Sequence, residues 1–562
     1  MLPWKIFWIA SSLRSSQRRG EILPRKPAKT SSPLTVKQAT FDLLRAFGIK
    51  KVFGNPGSTE LPFLSDWPDD IDYVLGLQEA SVIGMADGYA QATRNAGFVN
   101  LHSAAGVGNA LGNIFTAYRN QTPLVITAGQ QARSILPLQP FLFAERASEF
   151  PRPYVKFSVE PARPEDVPAA IARAYYTAMQ PPCGPTFVSV PIDDWQQPAQ
   201  AVEARSVTRE LGPDPDVIRG LAKALAASER PAFVVGPAVD RAQAVDLLVR
   251  LAEKTHASVW VSPFSARCSF PERHPQFAGF LHASPGQLSE ALRGHDLVVV
   301  IGAPVFTFHV EGHASIFDGA TALFQITDDA EAAAVTPAGT SIVATMKPAL
   351  SALIEMAGET KRAMPKGRAL PPAPAAADPI PAAFLLHNLG LAMPRGAALV
   401  EEAPSHRPAM QNFMPMAGAD SFYTMASGGL GHSLPAAVGI ALGQPNIRTV
   451  CLIGDGSAMY SIQALWTAAQ RKLPLTVIVI NNGGYGAMRS FSQVMQVRNV
   501  PGLDMPGLDF VKIAEGMGCD AARVTKSSEL AATLKRALSH NGTSLVEVMV
   551  DSAVPVLYAR NG

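Results

Sequence analysis

Two apolar runs in the C-terminal third of the chain each stop abruptly in oxygen-bearing side chains and glycines. CLIGDGSAMY covers Cys451 to Tyr460, and VIVINNGGYG covers Val477 to Gly486. A continuous β-branched run predicts a strand buried on both faces of a parallel sheet. The intervening SIQALWTAAQRKL has helical spacing. One strand–helix–strand unit therefore brings Asp455 and Asn482, 27 residues apart, to the same sheet edge.

The same alternation recurs upstream. Between Val52 and Pro191 the runs KVFGN, YVLGL, FVNLHSA, PLVITAG and PTFVSVP alternate with helical segments. A polar, Pro-containing passage from Asp193 to Pro215 leads to PAFVVGP, SVWVSPF, DLVVVIG, ALFQIT and SIVATM, and the third set is ALVEEA, TVCLIGD, LTVIVINN and SLVEVMV. This predicts an α/β chain of three consecutive doubly wound parallel-sheet domains, at 35–195, 196–360 and 383–562, with a Pro/Ala-rich linker at 361–382. TVKQATFDLLRAFG predicts a first helix starting near Thr35 and stopping at Gly48.

Composition narrows the function. With 562 residues, 47% of them hydrophobic, the chain can fill three cores. The net charge of +2 hides an asymmetry: residues 1–34 hold seven Lys/Arg against one Glu. This basic leader is set apart from the fold, as a disordered or transit-like segment or one preceding the true start. No basic patch with interleaved aromatics points to nucleic acid. No apolar run approaches the ~18 residues of a membrane span. Cys183, Cys268, Cys451 and Cys519 are scattered, with neither metal nor disulfide spacing, which fits the cytoplasm.

The chemistry starts at the two strand ends. A carboxylate (Asp455), a carboxamide (Asn482) and a loop carbonyl (Gly484) suit a hard, partly hydrated divalent cation, with Mg2+ the natural candidate. Gly456, Gly483, Gly484 and Gly486 let backbone N–H groups approach a diphosphate, and the helix after Gly456 is expected to aim its positive end there. No Walker lysine is present. GDGS followed by NN at this interval resembles the motif by which thiamine diphosphate (ThDP) enzymes hold Mg2+ and the cofactor's diphosphate. Together with FGNPGS, ELPFL, LQEA, ADGYAQA, NLHSAAG, TAGQQ, IGAPVF, ALWTAAQ and NVPGLD, the chain resembles the ThDP-dependent 2-oxo acid decarboxylases from about Val36 to its last strand.

That resemblance implies roles for particular residues. Glu79 in LQEA would hydrogen-bond the cofactor's aminopyrimidine, although a lone acid in a first helical turn is ordinarily there for the dipole. Ser58 would hold the substrate carboxylate, while His102 and His309 would deliver protons. Taken singly, Ser58 and His102 read as a turn serine and a structural histidine. Leu430 would wedge ThDP into its bent shape, and Ser405, Gly456, Ser457 and Tyr485 would lie near the diphosphate. Leu142, Thr424, Ala487, Met488 and Phe491 would line the substrate pocket. The sequence departs from the family pattern at Pro404, where a threonine hydroxyl is expected, and at Thr424 and His432, where aromatics are.

The implied activity is non-oxidative decarboxylation of a small 2-oxo acid, with benzoylformate the expected substrate and benzaldehyde and CO2 the products. A homodimer would be the minimal active unit and a homotetramer the usual assembly. Carboligation of the acetolactate synthase type, or another 2-oxo acid, is the alternative chemistry, and a ThDP-fold protein without catalysis is the non-enzymatic one. Gly106, Gly108 and Gly112 echo a dinucleotide fingerprint, but the next strand ends in glutamines rather than the required ribose-binding acid.

Overall fold

The computed structural model describes residues 34–312 and 321–557. The basic leader therefore lies outside the described residues, apart from Leu34. The helix expected near Thr35 spans Val36–Ala46. It starts with a capping box in which the Thr35 hydroxyl accepts from Gln38 N–H and the Gln38 carboxamide accepts from Thr35 N–H. Gly48, at φ +70°, follows its end.

Three six-stranded sheets form, and every pairing within them is parallel. The first orders its strands as Asp72–Leu75, Lys51–Gly54, Gly97–Leu101, Leu124–Gln130, Pro185–Pro191, Ser158–Val159. The central sheet runs from Phe277–Phe280 at one edge to Thr340–Val343 at the other. The third runs Phe422–Thr424, Ala398–Glu402, Thr449–Gly454, Leu475–Asn481, Ser544–Met549, Asp520–Val524. In each, chain order reverses within the sheet, and the strand ends at such a reversal are where doubly wound folds bind ligands. Inner strands such as Leu475–Asn481 are buried throughout, as their unbroken apolar runs require.

Between the last central-domain helix, ending at Met356, and the helix Ala382–Ala392, the chain has no regular structure, but it is anchored. Arg362 donates to the Ser228 and Thr255 carbonyls, Arg368 N–H pairs with the Phe277 carbonyl, and Ile380 is fully buried. The Pro/Ala-rich stretch is a strap that leaves the central domain at Arg362 and Arg368 and enters the third domain's core at Ile380, which bridges Val550.

The first and third domains meet through two helices, Glu79–Thr93 and Ser433–Gly443. A Cβ at Gly88 would collide with the backbone of Ala436, and one at Gly439 with the backbone of Met85. Hydrogen at these positions lets the helices cross backbone to backbone. Met85, Ala86, Ala436 and Val438 around the crossing belong to one core that continues through both sheets.

Candidate functional site

The expected residues gather in two places. The first is the carboxyl edge of the first sheet. The strand Lys51–Gly54 runs into the turn NPGS, which puts Ser58, exposed, at the start of a short 3-10 turn. The neighbouring strand Gly97–Leu101 ends at His102. A Cβ at Gly57 would overlap the His102 ring, so only glycine lets the imidazole lie against this turn.

His102 is not held by Ser58. Its Nδ1 lies 2.9 Å from Oε2 of Glu60, a carboxylate only 1% exposed. Glu60 also accepts from Gly57 N–H and Gly129 N–H, each at 3.0 Å, and from the Thr59 hydroxyl at 2.6 Å. A carboxylate opposite Nδ1 keeps the proton on that nitrogen and leaves Nε2 to exchange protons. Glu60 is thus the residue that sequence reasoning missed. Its signal was local: it stands three residues after the turn glycine, where a capping acid reaches back to the turn N–H.

Glu79 opens its helix one residue after Gln78, whose side chain accepts from Ser81 N–H at 3.1 Å. Asn55 Nδ2 donates to Oε1 at 3.2 Å and Asn109 Nδ2 to Oε2 at 3.1 Å, so two carboxamides orient the acid. Leu142 stands beside this edge at φ +64°, its carbonyl accepting from the Ser103 hydroxyl at 2.9 Å.

The second place is a cavity of about 760 Å3 at the carboxyl edge of the third sheet. His309, Ser405, Leu430, Asp455, Gly456, Ser457, Asn482, Gly484, Tyr485, Ala487, Met488 and Phe491 all line it. Ser58, Glu79, His102, Leu142 and Thr424 do not. The His309 ring lies between two phenyl rings, 4.9 Å from Phe491 and 5.9 Å from Phe264 between centroids.

On the polar wall, Asp455 accepts from Gly456 N–H at 2.9 Å and Gly484 N–H at 2.8 Å. Burial pushes its carboxyl up and those N–H groups pull it back down, leaving it above its ordinary value. The two asparagines of INNG divide their work. Asn481 is tied down, donating to Glu547 at 2.7 Å and accepting from Gly483 N–H at 3.0 Å. Asn482 Oδ1 is buried with no hydrogen-bond partner. An orphaned carboxamide oxygen beside a carboxylate with spare lone pairs is a donor set that fits a small hard cation. Among the described residues no group of three or more His, Cys, Asp or Glu could hold a metal, so a site here would depend on this mixed set. The helix expected after Gly456 is one turn, Asp455–Ala458, because Met459 to Gln463 interrupt it before Ala464–Gln470. The ten-residue helix that does open at this edge is Gly486–Met495.

The three departures fall differently. Pro404 lines the cavity and opens the turn Pro404–His406, whose His406 and the following Arg407 also line it. Burial pushes His406 down to about 4, against the pull of Glu401, and its Nε2 has no partner. Thr424 is buried off the wall, accepting from Arg407 Nη2 at 2.7 Å, and Arg407 pairs with the buried Glu401. His432, 1% exposed, faces the first domain, with Nε2 2.9 Å from Asp87 Oδ2.

Along most of its length the chain is similar to known proteins. It matches the thiamine pyrophosphate enzyme models for the N-terminal TPP binding domain at residues 34–145, the central domain at 218–353 and the C-terminal TPP binding domain at 403–548. A benzoylformate decarboxylase of Pseudomonas aeruginosa is 43% identical over 93% of this chain and 100% of its own length. The acetolactate synthase isozyme 3 large subunit of Escherichia coli is 26% identical over 90% of this chain and 93% of its own. Among solved structures, benzoylformate decarboxylase from Polynucleobacter necessarius superposes with TM-score 0.91 at 43% identity, covering 93% of this chain and 99% of that one. A ThDP-dependent 4-hydroxybenzoylformate decarboxylase of Rhodococcus jostii RHA1 gives 0.89 at 42%, covering 92% and 100%. Three consecutive domain matches and full-length identity at this level mean that the chain belongs to the thiamine pyrophosphate enzyme family, among its 2-oxo acid decarboxylases.

Proposed function

We propose that this chain, with ThDP and Mg2+, decarboxylates an aromatic 2-oxo acid, benzoylformate first among them, to the aldehyde and CO2. The observation that carries the reading is the composition of the cavity. A cation-type donor set, Asp455, Asn482 and the Gly484 carbonyl, shares it with His309 and an apolar wall of Leu430, Ala487, Met488 and Phe491. ThDP, when bound, supplies the nucleophilic carbon and the electron sink that decarboxylation of a 2-oxo acid needs.

The chain's own residues supply the rest. Asp455 and Asn482 would hold Mg2+, with Ser405, Gly456, Ser457 and Tyr485 facing the diphosphate and Leu430 pressing on the cofactor from the apolar side. Converting a 2-oxo acid anion to an aldehyde and CO2 takes up one proton, and His309 on the wall is placed to give it. Phe491 and Met488 give this end of the cavity an apolar wall that suits a ring.

Glu79, Ser58 and His102 supply what the cavity lacks: an acid for the aminopyrimidine, a hydroxyl for the substrate carboxylate and a second proton carrier. They would enter the cavity of a neighbouring chain, which makes a homodimer the working unit, and pairs of dimers would give a tetramer. Exposed apolar side chains support this. Leu61, Leu77, Leu138 and Phe141 surround the first group, and Tyr460, Met488, Met495 and Val497 surround the cavity or follow from its wall. Scattered free thiols support a reducing compartment, the cytoplasm.

The test is an assay for CO2 and aldehyde with ThDP and Mg2+ over benzoylformate, phenylpyruvate, pyruvate and a branched-chain 2-oxo acid. Rapid turnover of benzoylformate is expected. Activity on another member alone would transfer the specificity to the wall containing Pro404, His406 and Arg407. Release of a condensed hydroxyketone in place of aldehyde would overturn the decarboxylase reading.

A further inference from the structure

The segment carrying Leu430 is tethered at both ends to a single carboxylate in the first domain of the same chain. Met425, Ala426, Ser427, Gly428 and Leu430 form one wall of the cavity. On the third-domain side, the fully buried Glu402 accepts from Gly431, His432 and Ser433 N–H at 2.6, 3.0 and 2.7 Å. Burial pushes that carboxyl up, and the three N–H donors and His432 pull against it. This fixes the far end of the segment to its own domain.

The first domain reaches the segment through the helices Glu79–Thr93 and Ser103–Asn120. The Thr116 and Ser427 hydroxyls meet at 2.9 Å, and Asn113 Nδ2 donates to the Gly431 carbonyl at 3.2 Å. At the near end, Ala426 N–H donates to Asn120 Oδ1 at 2.8 Å, and Asn120 Nδ2 donates to Asp87 Oδ2 at 3.1 Å. At the far end, His432 Nε2 reaches the same Asp87 oxygen at 2.9 Å. Asp87, 0% exposed, also takes the Thr122 hydroxyl at 2.8 Å on its other oxygen. A closed ring of hydrogen bonds thus runs from Asp87 through Asn120 to residue 426, along the segment to residue 432, and back to Asp87.

A buried carboxylate without donors is costly, so the ring holds itself in one geometry. We propose that Asp87 is a positioning residue of the cofactor site, setting where Leu430 stands in the cavity by holding both ends of its segment through Asn120 and His432. The inference rests on the reading that ThDP occupies this cavity. Asp87 is buried and off the cavity wall, so it acts only through the segment.

The experiment compares ThDP affinity of the full-length apoprotein in the presence of Mg2+, by calorimetry, with its melting temperature and with kcat and KM for the 2-oxo acid. Asp87→Asn and His432→Leu are expected to weaken ThDP binding about tenfold and to lower kcat, with KM changed less than about twofold. His432→Gln, which keeps a donor toward Asp87, is expected to restore most of both. A fall in melting temperature with ThDP affinity and kcat unchanged would make the ring a purely structural device and overturn the inference. Should Asp87→Asn fail to fold, Asn120→Ala severs only the tether at residue 426, and wild-type ThDP affinity in that variant is equally fatal. Absence of ThDP binding by the wild-type chain would bring down the site reading together with the inference. Binding by the wild type with equal affinity in the variants brings down the inference alone.

Discussion

The carboxyl edges of the first and third sheets hold opposite kinds of polar group. At the first, the two acids are filled: Glu60 takes four donors and Glu79 two carboxamides, and this group lies outside the 760 Å3 cavity. At the third, the cavity is large and several polar atoms wait: Asn482 Oδ1, His406 Nε2 and Arg407 Nε are buried without partners. Filled networks orient reactive groups, whereas orphaned atoms mark where a ligand completes the structure. One edge holds positioned acids and imidazole, the other holds room and unpartnered polar atoms. In the proposed reading, each supplies what the other lacks.

Mixing two dead variants is the strongest way to break this comparison. Glu79→Gln should lower turnover by ~10³-fold while ThDP still binds, and Asp455→Ala should abolish Mg2+-dependent ThDP binding. If each working site joins the two edges of different chains, coexpression of the variants gives hybrids with one intact site, and activity returns to about a quarter of wild type. No recovery in the mixture, with both chains soluble and associated, would put the whole site within one chain.

Next in size, removing the orphaned oxygen by Asn482→Ala, or stripping the metal with a chelator, should weaken ThDP binding by about 100-fold, measured by titration of the apoprotein. Within the filled network, Glu60→Gln should cost about tenfold in kcat by freeing the His102 tautomer; an unchanged kcat would remove Glu60 from holding the imidazole. Ser58→Ala should act mainly on KM, raising it several-fold, as expected for a hydroxyl that binds the substrate carboxylate in ground and transition states alike.

The smallest effect concerns His406. Its folded value of about 4 lies below the ordinary histidine value, so the unfolded chain binds the extra proton first as pH falls. Stability is therefore full above about pH 6.5 and declines toward pH 4, by about 2 kcal/mol between pH 7 and pH 5 for this one group. His406→Asn should flatten the acid side of a melting-temperature series, and an identical slope in the variant would show that the imidazole titrates normally.

What could be read along the chain was whatever is contiguous. Asp455, Asn482 and Gly484 are legible because each closes an apolar run, and the three sheets because their strands are unbroken β-branched stretches. Glu60 opens the motif ELPFL, yet its value lies in a partner 42 residues away. Asp87 and Glu402 were not legible, because the bonds that tie them to the cavity wall reach Asn120, His432 and the backbone of residues 431–433, all distant in sequence. Thr424 and His432 were placed near the ligand by position in the motif, yet both turn inward, Thr424 toward Arg407 and His432 toward Asp87. The break at Met459 to Gln463 was likewise invisible to helical spacing.

The backbone-to-backbone crossing at Gly88 and Gly439 has a consequence for recombination. Two surfaces with no side chains to adjust cannot be re-registered by swapping one partner for a sequence with a larger residue there. Chimeras with related decarboxylases should therefore inherit residues 79–93 and 433–443 from the same parent.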